Sequence, residues 1–118
     1  MGDLSAHFSR SEFADRRTGQ VYVDPRLVAV LECLRSRGGG RPLVILSGFR
    51  SAVTNSAVGG APNSQHLYGR AADLRAGLFT AGDAASCGAT GIGVDRRGWV
   101  VHVDVRPGKV VEFRDHPH

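Results

Sequence analysis

Two histidines and two aspartates stand among small and apolar residues, where an unpaired polar group would be costly. His66 and Asp73 lie seven positions apart in Ser64-Gln-His-Leu-Tyr-Gly-Arg-Ala-Ala-Asp73. His102 and Asp104 fall inside Trp99-Val-Val-His-Val-Asp-Val105, a run that reads as a strand. Strand side chains alternate, so His102 and Asp104 are expected on one face with Val100, and Val101 and Val103 on the other. Two imidazoles and one carboxylate are the ligand set of a catalytic zinc ion, whose fourth position is left to water. Such an ion polarises a carbonyl and lowers the pKa of a water towards ~7, the chemistry of amide hydrolysis. Taken singly, a strand histidine is more often a half-buried structural residue, and one His–Asp spacing carries little weight. Convergence argues for ligands: Gly69 and the small pair Ala71-Ala72 let the backbone bring His66 and Asp73 together, and Ser64 can support them by hydrogen bonding.

The elements that must position these residues follow from the pattern. Leu4 to Arg17 reads as one short helix docked by Phe8 and Phe13, with Ser9 and Ser11 as candidate caps and Glu12 in a first turn. Val21-Tyr22-Val23 is brief and extended. The clearest helix starts at Asp24, a natural N-cap, with Pro25 at its first position; Leu27, Val28, Val30, Leu31 and Leu34 line one face, and Gly38-Gly39-Gly40 ends it. Pro42 to Ser47 predicts a buried strand. From Gly48 to Gln65 the chain loses periodicity and fills with Ser, Asn, Gly and Pro; a short helix starts near Ser51 and the rest is loop. Long irregular loops in compact domains tend to carry function. Ala71 to Arg75 predicts a second strand, Thr80 caps a short helix through Cys87, and an Asp-Arg-Arg turn joins strands at Gly91 to Val94 and Gly98 to Val105. Lys109 to Phe113 is a last strand, before a frayed His116-Pro-His118 tail. Helices early and strands late predict an α+β fold: one domain over residues 1–118, with a small, mostly antiparallel sheet and helices packed on one side.

The chain has 118 residues, 42% hydrophobic and 22% charged, enough for one modest core and too apolar for disorder. Its 16 glycines are scattered, which excludes a collagen-like repeat. No apolar run approaches the ~20 residues of a membrane span, and Met1 to His7 lacks the basic start and apolar stretch of a signal peptide. A net charge of +4 and a pI near 9.8 rest almost wholly on dispersed arginines. Only Arg16-Arg17 and Arg96-Arg97 are adjacent, which disfavours a nucleic-acid-binding face, while the net positive charge suits an acidic cell wall as well as DNA and does not choose between them. Cys33 and Cys87 have no CxxC spacing, and two buried thiols are a plainer expectation than a disulfide.

Ser64-x-His66-x-x-Gly69-x-Ala71-x-Asp73, followed by His102-x-Asp104, resembles the zinc D-Ala-D-Ala carboxypeptidase-like metallopeptidases. That superfamily also contains vancomycin-resistance D,D-dipeptidases, phage L-alanyl-D-glutamate endopeptidases and the hedgehog signalling domain. Ser47-Gly48-Phe49-Arg50-Ser51 with Asn55 is similar to its Ser-Gly-aromatic-Arg-Ser segment. Gly59 to Arg70 and Gly91-Ile-Gly-Val94 resemble a compact bacterial and phage subgroup, and the resemblance runs roughly over residues 8 to 107. It implies a hedgehog/D,D-peptidase-like fold and one zinc ion bound by His66, Asp73 and His102. It also implies that Arg50 reaches the substrate, since a guanidinium fork suits an oxyanion or a terminal carboxylate; without the resemblance Arg50 reads as a surface arginine. Better-known members place an acid or histidine two or three residues before the last zinc ligand. Here those positions are Val100 and Trp99, which take no proton. Asp104 is the expected substitute as general base, or equally a carboxylate that orients His102 or Arg50, whereas Asp95 reads as a turn residue. Ser64, Tyr68 and Trp99 are expected beside the substrate, although Trp99 in a core and Tyr68 packed on its loop fit as well. Gly59 to Asn63 would form one wall of the cleft, and His7, His116 and His118 are incidental.

The implied activity is zinc-dependent hydrolysis of amide bonds in peptidoglycan stem peptides, as a D-Ala-D-Ala carboxypeptidase or an L-Ala-D-Glu endopeptidase. The expected protein is a monomer acting on the cell wall, periplasmic or extracellular, or endolysin-like and released from the cytoplasm, with no nucleic-acid partner. The missing base keeps open an alternative, a non-catalytic module binding cell wall or protein on the same fold. A basic nucleic-acid-binding domain is a third reading, disfavoured by the dispersed arginines.

Overall fold

Asp24 starts the longest helix by the means its position suggests: its side chain accepts the Arg26 N–H and Pro25 occupies the first turn. This helix, α1, spans Pro25–Arg37 in a computed structural model that describes residues 2–75 and 77–115. Strand β1 (Ile45–Ser47) is shorter than the apolar run predicts, and α2 (Ala52–Ala57) is capped by the Ser51 side chain. Next come β2 (Ala71–Leu74), α3 (Ala81–Ser86) capped by Thr80, β3 (Gly91–Val94), β4 (Val100–Asp104) and β5 (Val111–Arg114). Before α1 the predicted helix contracts to a 3-10 turn over Arg10–Phe13, in which Glu12 reaches back to the Ser9 N–H at 2.7 Å. Val21 to Val23 forms no strand, and Tyr22 is exposed.

The architecture is α+β. The sheet order is β1-β2-β4-β3-β5, and three of its four pairings are antiparallel. β5 pairs with β3 in parallel, a crossover that no local pattern in the last strand announces. Leu27, Val30, Leu31 and Leu34 of α1 share one core with Ile45, Ala72, Leu74, Ile92 and Val103 of the sheet. Phe8 and Phe13 close it edge to face, with ring centroids 6.2 Å apart. α1 and α3 cover this apolar side, whereas α2 engages the loop bordering the opposite functional face, where the Asn55 amide donates to the Ala61 carbonyl at 2.8 Å.

Two further expectations need correction. Val100 joins the core with Val103 and Val105 rather than sharing a face with His102, because the register shifts between Gly93 and Val94 and the resulting irregularity interrupts the alternation. Cys33 and Cys87 are joined in a disulfide across a 5.6 Å Cα separation, tying α1 to the end of α3. Their 54-residue separation concealed the pairing, since only the packing of the two helices brings them together. Among the described residues no helix is long and apolar enough to cross a membrane.

Candidate metal centre

The pairing of β2 with β4 sets Asp73 directly opposite His102. Ala72 and Leu74 point into the core, so alternation turns Asp73 to the other face, where His102 also stands. His66 arrives from a 3-10 helix, Gln65–Tyr68, whose start is capped by Ser64: its hydroxyl accepts the His66 N–H at 3.2 Å. Each of the three residues offers one ligand atom, and these atoms all lie within 4.8 Å of one another. Asp73 Oδ1 is 3.2 Å from His66 Nε2 and 3.1 Å from His102 Nδ1.

The far nitrogen of each ring is already engaged. His66 Nδ1 lies 2.6 Å from the Gly48 carbonyl. A carbonyl only accepts, so Nδ1 carries the hydrogen and a neutral His66 turns the lone pair of Nε2 towards Asp73. Two acceptors 3.2 Å apart repel unless a proton or a metal cation lies between them. His102 Nε2 lies 2.8 Å from Asp104 Oδ2, leaving Nδ1 for the centre. Arg106 grips that carboxylate with both ends of its fork, Nε to Oδ1 at 2.8 Å and a terminal nitrogen to Oδ2 at 2.6 Å. Gly91 lies against it, where a Cβ would overlap the carboxylate oxygens. Histidine ligands held by a carbonyl or carboxylate at their outer nitrogen are the usual support of a metal site, so the donor set fits a divalent cation such as zinc.

The electrostatics agree. Burial alone would raise the Asp73 carboxyl, but the His102 and His66 rings set against it outweigh burial and hold the group well below the usual carboxylate range. Burial likewise opposes ionisation of Asp104, and Arg106 and then His102 reverse the effect. Burial would lower His102, yet the carboxylates of Asp104 and Asp73 on its two nitrogens push it up to about 9. The carboxylates therefore favour a positive charge between them, whether a proton or a metal ion.

Arg50 is buried rather than on the surface. One terminal nitrogen donates to Asp73 Oδ2 at 2.9 Å, Nε to Ser47 Oγ at 3.3 Å and the other terminal nitrogen to Asn55 Oδ1 at 3.5 Å. It lines a pocket of about 220 Å³ together with His66, Asp73 and His102. Gly60, Ala61, Asn63 and Ser64 build one wall, as the loop composition suggested. Tyr68 and Trp99 do not line this pocket. Tyr68 is half exposed beneath the Arg70 guanidinium, and Trp99 is fixed by backbone pairing with Thr80 and Asp95. Asp104 does share the face of His102, but it is 0% exposed and does not line the pocket, so its geometry suits orienting His102 rather than meeting a substrate. Asp95 serves its turn by accepting the Arg97 and Trp99 N–H groups, and His7 pairs with Glu32 at 2.6 Å. His116 and His118 lie outside the described residues. Sequence reasoning missed Arg106, Phe113 and Asp115, which complete the pocket. Only the parallel pairing of β5 carries Phe113 and Asp115 there, and no local motif marks it.

Residues 6–104 match the family model described as peptidase M15, and the chain belongs to that family. Over 47 residues it is 53% identical to the zinc D-Ala-D-Ala carboxypeptidase of Streptomyces albus G. That stretch takes in 40% of this chain and 18% of the relative's length. The resemblance drawn from the His, Asp and Arg motifs is therefore upheld at the level of the family.

Proposed function

We propose that the protein is a zinc metallopeptidase that hydrolyses amide bonds in peptidoglycan stem peptides, acting as a single domain in an oxidising compartment at the cell wall. The observation that carries this reading is the centre itself: His66 Nε2, Asp73 Oδ1 and His102 Nδ1 converge while the outer ring nitrogens are tied to Gly48 and Asp104. The name of the partial relative supports both the metal and the substrate class. The Cys33–Cys87 disulfide supports the compartment, since such bonds persist where the surroundings are oxidising.

A zinc ion held by His66, Asp73 and His102 supplies a Lewis acid for the scissile carbonyl and acidifies a water. The chain's own residues do the rest. Asp104, gripped by Arg106, keeps the His102 ring in the orientation that presents Nδ1. Arg50 steadies Asp73 and brings a guanidinium to the pocket, where it meets a substrate carboxylate or the oxygen that gains charge in the transition state. Ser64 and the wall from Gly60 to Asn63 bound the space for the peptide beside it.

Incubation of the zinc-loaded protein with muropeptides, followed by mass spectrometry, tests the reading. Loss of a terminal D-alanine identifies a carboxypeptidase, and release of a stem or cross-link fragment an endopeptidase. No cleavage at one zinc per chain would overturn the reading in favour of a binding module.

A further inference from the structure

Val100 and Trp99 take no proton, and Asp104 is sealed beneath His102 and Arg106, so the centre needs a proton acceptor from elsewhere. β5 supplies a carboxylate. Its parallel pairing sets Phe113 beside Gly93 and Arg114 beside Val94, and the Asp115 N–H extends the ladder to the Val94 carbonyl at 3.0 Å. This register brings the Asp115 side chain against the centre, with Oδ2 3.7 Å from His102 Nδ1. Gly93 makes the approach feasible, because a Cβ there would lie 2.8 Å from Asp115 Cβ and 2.9 Å from His102 Cβ. Among the described residues, the carboxylates lining the pocket are Asp73 and Asp115. Asp73 has Oδ1 against both histidines and Oδ2 against Arg50. Asp115 is different: it is 21% exposed, meets His102 only beyond hydrogen-bond distance and stands outside the cluster of three ligand atoms.

We propose that Asp115 is a catalytic residue of the peptidase reaction, the group that takes the proton from the attacking water and returns it to the leaving amine. The proposal rests on the peptidase reading above. As the water oxygen bonds to the carbonyl carbon, the carbonyl π pair moves onto oxygen and one water proton passes to the Asp115 carboxylate. When the carbon–nitrogen bond breaks, its electron pair stays on nitrogen and Asp115 delivers that proton to it. Water is the one co-reactant. Phe113, whose ring centroid is 5.4 Å from that of His102, shields one side of this transfer.

The test compares wild type, Asp115→Asn and Asp115→Glu for zinc per chain, for calorimetric binding of a muropeptide at low temperature, and for kcat. The Asn variant is expected to keep one zinc and the wild-type affinity while kcat falls roughly 10²- to 10⁴-fold. The Glu variant, which keeps a carboxylate, should recover part of that rate. An Asn variant with the wild-type kcat, beside an active wild type, overturns the role of Asp115 alone. Loss of zinc from the Asn variant overturns it too, by making Asp115 a ligand. A wild type that cleaves no muropeptide overturns the peptidase reading, and the role of Asp115 with it.

Discussion

The two faces of β4 are held by different physics. On one, Val100 and Val103 pack with Ile92, Ala72 and the leucines of α1, where the stabilisation is apolar, non-directional and spread over many neighbours. On the other, Arg106 holds Asp104, Asp104 holds His102, His102 meets Asp73, and Asp73 is shared with His66 and Arg50. Each link in that chain is one oriented contact, and removing a member leaves a buried charge without its partner. Adjacent residues of one strand thus divide the work. The core face sets how stable the molecule is, and the polar face sets what it can bind and at what rate.

Four sets of substitutions test that division. The largest effect belongs to His66→Ala and His102→Ala: turnover of muropeptides should fall about 10⁴-fold or more, roughly 5 kcal/mol of barrier, with the far-ultraviolet circular dichroism of the wild type. A rate within tenfold of wild type would remove the polar face from the chemistry. Next, the double change Cys33→Ala and Cys87→Ala opens a closed loop of 54 residues. It should cost about 4 kcal/mol in denaturant titration, or roughly 15 °C in Tm, with kcat preserved at low temperature. Third is Leu31→Ala, which empties a fully buried position on α1 and should cost about 3 kcal/mol with zinc content unchanged. If it lowered kcat at full occupancy, the two faces would not be separable. The smallest effect falls to Asp104→Asn, which keeps the shape but weakens the hold on His102. Competition with a chelator should show zinc affinity reduced by roughly 10- to 100-fold. Unchanged affinity would mean that Asp104 merely fills space.

The same contrast explains what could be read from the sequence. Asp24-Pro25 and the leucines after it encode α1 locally, and the motifs around Arg50, His66, Asp73 and His102 carried both the family and the residues that converge. What escaped depends on long-range placement. The burial of Arg50 follows from Asp73, 23 positions away, and the bulge that turns Val100 inward exists only opposite Val94. The disulfide needs α1 and α3 side by side. Asp115 needs β5 to cross and pair in parallel with β3, although nothing in Val111–Arg114 distinguishes it from an ordinary last strand. Tyr68 and Trp99 looked like groove residues by type, but backbone pairing and cation stacking take them elsewhere.

Every step of the proposed chemistry needs His66, Asp73 and His102 to hold one metal ion together. Elemental analysis of the dialysed protein and of His66→Ala, Asp73→Ala and His102→Ala tests it most directly. One zinc per wild-type chain and almost none in each folded variant is the predicted result. Stoichiometric zinc retained by the variants, or none in a zinc-loaded wild type, would contradict it.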